Sequence, residues 1–129
     1  MIQLDSEHVR LLHAYALAET GGADGVRDGA LIEAAVAAPY AGFGGTEFYP
    51  TIEAKAARLA FGLVRNHPFV DGNKRVGVLA MLTLLGLNEV FLGFTDTELE
   101  LLGTGIADGS VDTDDIQAWI EAHVTRRTP

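Results

Sequence analysis

Apolar residues recur along this chain at helical spacing, in runs separated by glycine and proline. The first run opens at Asp5 or Ser6, both good helix N-caps, and closes at Gly21-Gly22, with Val9, Leu12 and Ala16 on one face. A second spans about Asp28 to Ala38 and stops at Pro39, which cannot continue a helix. Leu31, Ala34, Ala35 and Ala38 leave it slim enough for close helix contact. A third follows Thr51 and places Ile52, Ala56, Leu59, Ala60 and Leu63 on one side. It ends before Pro68, because the residue preceding a proline is pushed out of the helical region. A fourth begins near Asn73 and reaches about Asn88. Its stretch VGVLAMLTLLGL is apolar all round, which predicts a helix buried among the others.

Thr95-Asp-Thr-Glu98 is a capping box for a short fifth helix. Asp112 opens a sixth that carries Ile116, Trp119 and Ile120, with Arg126 and Arg127 near its C-terminal end, where the helix dipole favours cations. The segment Gly42-Phe-Gly-Gly-Thr-Glu-Phe-Tyr-Pro50 mixes β-forming residues with turn glycines and predicts a short hairpin-like flap before the third helix. The pattern gives an all-α bundle of about six helices with one extended flap.

A length of 129 residues suits one domain, 1–129, able to bury a core without staples. The absence of cysteine excludes disulfides and thiolate zinc sites. The start, MIQLDSEHVR, lacks the basic and apolar stretches of a secretory signal. The longest apolar run, Val76 to Leu87, is interrupted by Thr83 and Gly86 and is too short to span a bilayer. The expectation is a cytoplasmic protein that makes no membrane contact. A net charge of −9 works against broad nucleic-acid binding, which needs many phosphate-neutralising cations. In so cation-poor a chain, Arg65, Lys74 and Arg75 fall close together, around one segment.

That segment is His67-Pro-Phe-Val-Asp-Gly-Asn-Lys-Arg75. Its last residues open the fourth helix, and a helix N-terminus, with unpaired N–H groups and partial positive charge, is an anion site. Lys74 and Arg75 add full charges where the dipole disfavours cations, an arrangement that an anion would relieve. Asp71 can hold Mg²⁺, which commonly bridges a carboxylate and nucleotide phosphates. His67, with an ordinary pKa of about 6.5, can take a proton from a hydroxyl near neutral pH. Base, metal carboxylate and phosphate clamp together are the parts of a phosphoryl-type transfer. Singly, each residue has a plainer reading: a helix-end histidine, an Asp-Gly-Asn turn with Asn73 as N-cap, a solvated pair of cations.

HPFVDGNKR matches the HxFx(D/E)GN(G/K)R pattern of the Fic superfamily at every fixed position. The acidic first helix, the Gly-Gly after it, the flap and the apolar fourth helix resemble the death-on-curing (Doc) branch along nearly the whole chain. The resemblance implies the Fic/Doc helical fold. It makes His67 the general base and Asp71 the Mg²⁺ ligand. Gly72 would let the main chain approach ATP phosphates, Asn73 would hydrogen-bond to them, and Lys74 and Arg75 would hold phosphate oxygens. Phe69 would anchor the loop. The flap, Phe43, Gly44, Gly45, Thr46, Glu47, Phe48 and Tyr49, would align a target peptide by strand pairing, and Arg65 would serve as an accessory cation.

Two reactions occur on this fold. Most Fic enzymes transfer AMP, whereas the Doc branch transfers the γ-phosphate of ATP, with elongation factor Tu as the implied target. Pro68 and Gly72 agree with the AMP-transferring form. Lys74, and Val78 where that form tends to carry a second arginine, agree with the kinase, which is the favoured reading. An inhibitory helix of pattern (S/T)xxxE(G/N) is missing. Thr104-Gly-Ile-Ala-Asp-Gly109 comes near, but Asp108 is one carbon short and the glycines predict a loop. Inhibition in trans by a small antitoxin is therefore expected.

A catalytically silent binding module on the same fold is the non-enzyme alternative, and ATP–Mg²⁺ binding discriminates against it. A P-loop is excluded, because no GxxxxGK(S/T) occurs. The acidic run from Asp108 to Asp115 lacks the turn glycine and the glutamate of a calcium loop and reads as capping of the last helix. His8, His13 and His123 have no metal-ligand spacing, and Trp119 reads as core.

Overall fold

The computed structural model describes residues 1–127. Six α-helices follow in order: α1 (Ser6–Thr20), α2 (Gly29–Ala37), α3 (Ile52–Asn66), α4 (Asn73–Leu87), α5 (Asp96–Asp108) and α6 (Thr113–His123). α2 gives way to a 3-10 turn, Ala38–Tyr40, that holds Pro39. Strands β1 (Gly42–Phe43) and β2 (Thr46–Glu47) form the flap, and β3 (Val90–Leu92) pairs antiparallel with β4 (Val124–Arg127). The fold is the expected mostly helical bundle with its flap.

Each helix begins where its sequence supplies a cap, with one exception. The side chains of Asp5, Asp28, Thr51, Thr95 and Asp112 each accept a main-chain N–H from the first turn of α1, α2, α3, α5 and α6. Only α4 starts without a side-chain cap, on Gly72.

α3 and α4 form the central antiparallel pair. Leu59, Leu63, Met81, Leu84 and Leu85 are buried between them and the helices around them, with Ile106 from α5 and Ile116 and Ile120 from α6. The close approach of this pair requires Gly77. A Cβ there would lie 2.4 Å from Val64 Cγ2, inside van der Waals contact. α1 and α5 flank α4, while α2 and α6 pack on α3.

Four expectations are corrected. Arg126 and Arg127 do not end the sixth helix; they lie in β4, opposite Phe91 and Val90, and Arg127 Nη1 donates to Glu53 Oε2 at 2.8 Å. The extended structure is thus more than the flap. The fifth helix is not short, and Thr104–Asp108 is helical, not a loop. Gly105 serves packing: a Cβ there would lie 2.5 Å from Val111 Cγ2, so tertiary contact outweighs a helix penalty of about 1 kcal/mol.

Candidate active site

His67–Arg75 joins α3 to α4. α3 ends on His67, whose main chain is left-handed at φ 49° and ψ 58°. Holding a non-glycine residue there costs roughly 1–3 kcal/mol. A helix ending this way normally closes with an N–H from the next residue, and Pro68 has none. The last two carbonyls are taken from outside by Arg27: its Nε donates to the His67 oxygen at 2.6 Å and its Nη2 to the Asn66 oxygen at 2.7 Å. The main chain around Arg27 runs antiparallel to the loop. The N–H groups of Arg27 and Asp28 donate to the Pro68 oxygen, and that of Val70 donates to the Gly25 oxygen at 3.0 Å. The His67 side chain is left exposed at the loop's edge.

The loop is braced from its other side by α1. Phe69 is buried, and its ring stacks on His13 at 3.8 Å between centroids. His13, itself buried, donates from Nε2 to the main-chain oxygen of Asp71 at 2.7 Å; a carbonyl can only accept, which places the proton on Nε2. Asp71 is exposed, and its carboxylate lies against the Gly22–Ala23 main chain. Its Oδ1 accepts from the Gly72 N–H at 2.9 Å and its Oδ2 from the Ala23 N–H at 3.2 Å. Gly22 makes room for it, since a Cβ there would lie 2.8 Å from Oδ2.

Asn73 is neither an N-cap nor free to turn toward the cleft. Its Oδ1 accepts the Phe69 N–H and its Nδ2 donates to the Phe69 oxygen, both at 3.0 Å, closing the loop on itself. The position just before it, Gly72, is left-handed at φ 79°, which glycine adopts without strain, and it directs the first N–H groups of α4 out of the helix unopposed. Such a run of main-chain amides is an anion-binding concavity. Lys74 and Arg75 stand beside it, exposed, and make no ion pair among the described residues. The groups present therefore fit a polyphosphate: uncapped amides, two unpaired cations and one exposed carboxylate. A magnesium ion on Asp71 would take its other ligands from phosphate and water, the usual pattern for that ion.

These residues meet in a cleft of about 970 Å³ that runs along the outer face of α4. His67, Asp71, Gly72, Asn73, Lys74 and Arg75 line one end. Val78, Leu79 and Leu82 floor the remainder, with Tyr15 and Glu19 from α1 on one wall and Leu99 and Gly103 from α5 on the other. Phe94 contributes an aromatic face.

Arg65 and the flap stand outside the lining of the cleft. Arg65 turns away, donating to the Ile106 oxygen at 3.3 Å, and ties α3 to α5. The flap residues Phe43, Gly44, Gly45, Thr46, Glu47, Phe48 and Tyr49 do not line the cleft. The flap is a tight hairpin turning through Gly44 and Gly45, both at positive φ as a type I′ turn requires. Its base is fixed to the first turn of α3 by Lys55, a buried lysine whose Nζ donates to Glu47 Oε1 at 2.8 Å and to the Tyr49 oxygen. At 1.5 Å rise per residue, roughly 17 Å of helix separates that anchor from the His67 end.

Asp108, the near match to an inhibitory glutamate, accepts the Ser110 N–H at 2.8 Å and stays outside the cleft. Arg27, His13 and Lys55 had no sequence signal that singled them out. A histidine on an apolar helix face and a lysine at an apolar position were the available hints.

A histidine and a carboxylate on a braced loop thus open onto an uncapped helix start flanked by cations. The model of the Fic/DOC family matches residues 3–85, from the approach to α1 through nearly all of α4, and the chain belongs to that family. Toxin Doc of Mycolicibacterium smegmatis is 41% identical over 117 residues, spanning 89% of this chain and 88% of its own length. No helix among the described residues is long and apolar enough to cross a membrane.

Proposed function

We propose that the protein is the toxin of a toxin–antitoxin pair and acts, as one domain, by moving the γ-phosphate of ATP to a hydroxyl of a protein target, elongation factor Tu. The observation that carries this reading is the uncapped start of α4, with Lys74 and Arg75, sharing one cleft with the exposed His67. His67 takes the hydroxyl proton, the freed oxygen forms its bond to the γ-phosphorus, the bond from that phosphorus to the bridging oxygen breaks, and ADP leaves. The proton on His67 then passes to solvent. The amides of Asn73, Lys74 and Arg75 hold the polyphosphate, and the two side-chain cations stabilise charge on the transferred group. Mg²⁺ on Asp71 would neutralise phosphate charge.

Val78 favours phosphate over AMP transfer. The AMP-transferring pattern places a second arginine at this position, and here an apolar side chain floors the cleft, so its cations are confined to the loop end. The flap's open strand edges suit pairing with an extended target segment. Because the flap residues do not line the cleft, that contact is one of target affinity. With Asp108 turned away, nothing within the described residues covers the cleft, and a small antitoxin is the inhibitor that this reading needs.

ATP labelled separately at the α- and γ-phosphates, incubated with elongation factor Tu, tests the proposal against a His67→Ala control. Label from the γ-position alone is expected, with the control slower by about 10²–10⁴-fold. Label from the α-position would make the protein an AMP transferase. No ATP–Mg²⁺ binding at all would leave a silent binding module.

A further inference from the structure

His67 is a helix-end residue in a left-handed conformation, and the motif around it does not hold it there. α3 lacks the closing N–H that Pro68 cannot give. The two carbonyls at this point, of Asn66 and His67, are both taken by Arg27, through Nη2 at 2.7 Å and Nε at 2.6 Å. A guanidinium is the one side chain whose rigid fork presents two parallel N–H donors at this spacing. Its charge also lies at the negative end of the α3 dipole. Among the described residues Arg27 makes no ion pair, so no carboxylate competes for the fork. The adjoining main chain adds bonds from Arg27 and Asp28 to the Pro68 oxygen and pairs Val26 with Phe69. The first three residues of the loop are thus templated by a segment some 40 positions earlier in the chain.

We propose that Arg27 is a positioning residue for the general base: it fixes the His67 main chain, and through it the direction of the imidazole, without touching substrate. The inference rests on the assignment of His67 as the base. A side chain displaced by about 1 Å from its productive geometry can slow a reaction by about 100-fold. Phosphate binding, by contrast, belongs to α4 and does not pass through Arg27.

The test compares wild type, His67→Ala, Arg27→Ala and Arg27→Lys in transfer from γ-labelled ATP to elongation factor Tu, at a temperature where circular dichroism finds each chain folded. Arg27→Ala is expected to lower kcat by about 10- to 100-fold while KM for ATP stays within about twofold, as the separate phosphate site requires. Arg27→Lys is expected to recover little, since one ammonium cannot reproduce the fork, whereas millimolar guanidinium should partly restore Arg27→Ala. Amide hydrogen exchange supplies a readout independent of turnover: Phe69 and Val70 should exchange faster in Arg27→Ala, with the interior of α4 unchanged. Full kcat in folded Arg27→Ala, or unchanged exchange at Phe69 and Val70, would overturn the inference. Wild-type inactivity with a loosened loop in Arg27→Ala would reject the transfer reading and leave the bracing upheld. Activity in wild type and Arg27→Ala alike, lost in His67→Ala, would reject the inference alone.

Discussion

The Nε2–H of His13 donates to the main-chain oxygen of Asp71 across 2.7 Å, joining the first helix to the loop 58 residues later. The same imidazole stacks on Phe69, so one buried side chain fixes both the anchor of the loop and its carboxylate-bearing residue. His13→Phe keeps the stack and removes the donor. We expect it to raise the Mg²⁺ concentration needed for half-maximal transfer and to lower kcat by about tenfold, with stability reduced by about 1–2 kcal/mol for the unmet carbonyl. Magnesium titration of the transfer rate, beside urea denaturation, measures both. An unchanged magnesium requirement would reduce His13 to packing.

Lys74 stands exposed beside the open start of α4. A hydrogen bond from a charged donor contributes about 1.5–3 kcal/mol, so Lys74→Gly is expected to slow γ-phosphate transfer by roughly 10- to 100-fold. The same change restores the AMP-type pattern, and α-labelled ATP tells whether AMP transfer appears in its place.

On the flap, Phe43 is 83% exposed and Phe48 60% exposed, although phenylalanine is ordinarily withdrawn from water. Phe43→Ser is expected to raise KM for the protein target severalfold and to leave kcat and ATP affinity unchanged. Steady-state kinetics at varied target concentration would reveal it, and an altered kcat would place the flap closer to the chemistry than its anchor on Lys55 allows.

His123 is bonded to Glu98 Oε2 at 3.0 Å and to the Trp119 oxygen at 2.7 Å, and stacks on the Trp119 ring. The Glu98 bond chiefly, then the Trp119 carbonyl, pushes the imidazole above its ordinary 6.5, while His123 in turn holds Glu98 below its ordinary 4.5. A raised histidine contributes stability that is complete below 6.5 and fades as pH rises through the folded value. A lowered carboxylate contributes above 4.5 and loses its share in acid. The pair therefore stabilises most between these limits. Wild-type stability should decline from pH 6 to pH 8, and His123→Gln should flatten that slope in denaturation curves taken across the range.

Gly77→Ala would drive a methyl to within 2.4 Å of Val64 Cγ2, between the two central helices. Overpacking of this kind costs about 1–3 kcal/mol. Urea denaturation should find that loss, while transfer per folded molecule stays intact because Gly77 lies behind the cleft and not in it.

Most of the helical frame was legible because capping residues and prolines punctuate it. Asp5, Thr51, Thr95 and Asp112 mark starts that the structure keeps, and Pro39 and Pro68 mark the stops. The motif was legible for the same local reason: nine consecutive residues carry it. Its supports were not. Arg27, His13 and Asn73 act on main-chain carbonyls and amides, and such contacts leave no pattern in side-chain periodicity. Distance along the chain hid β3 and β4, which pair across more than thirty residues though Val90-Phe-Leu92 is a β-forming run. The glycines of α5 misled for a different reason. Local propensity called for a loop, and packing against Val111 decided otherwise.

Among six helices, five finish their own first turn with a side chain, and the one left unfinished faces the cleft. On the proposed function, an anion seated there would do for α4 what aspartate or threonine does for the others, and the nucleotide would be a missing piece of secondary structure. A ligand that only the folded chain can bind adds about 2.7 kcal/mol at a hundredfold excess over its Kd. Loaded with substrate, the protein would then be at its sturdiest at the moment it is ready to act.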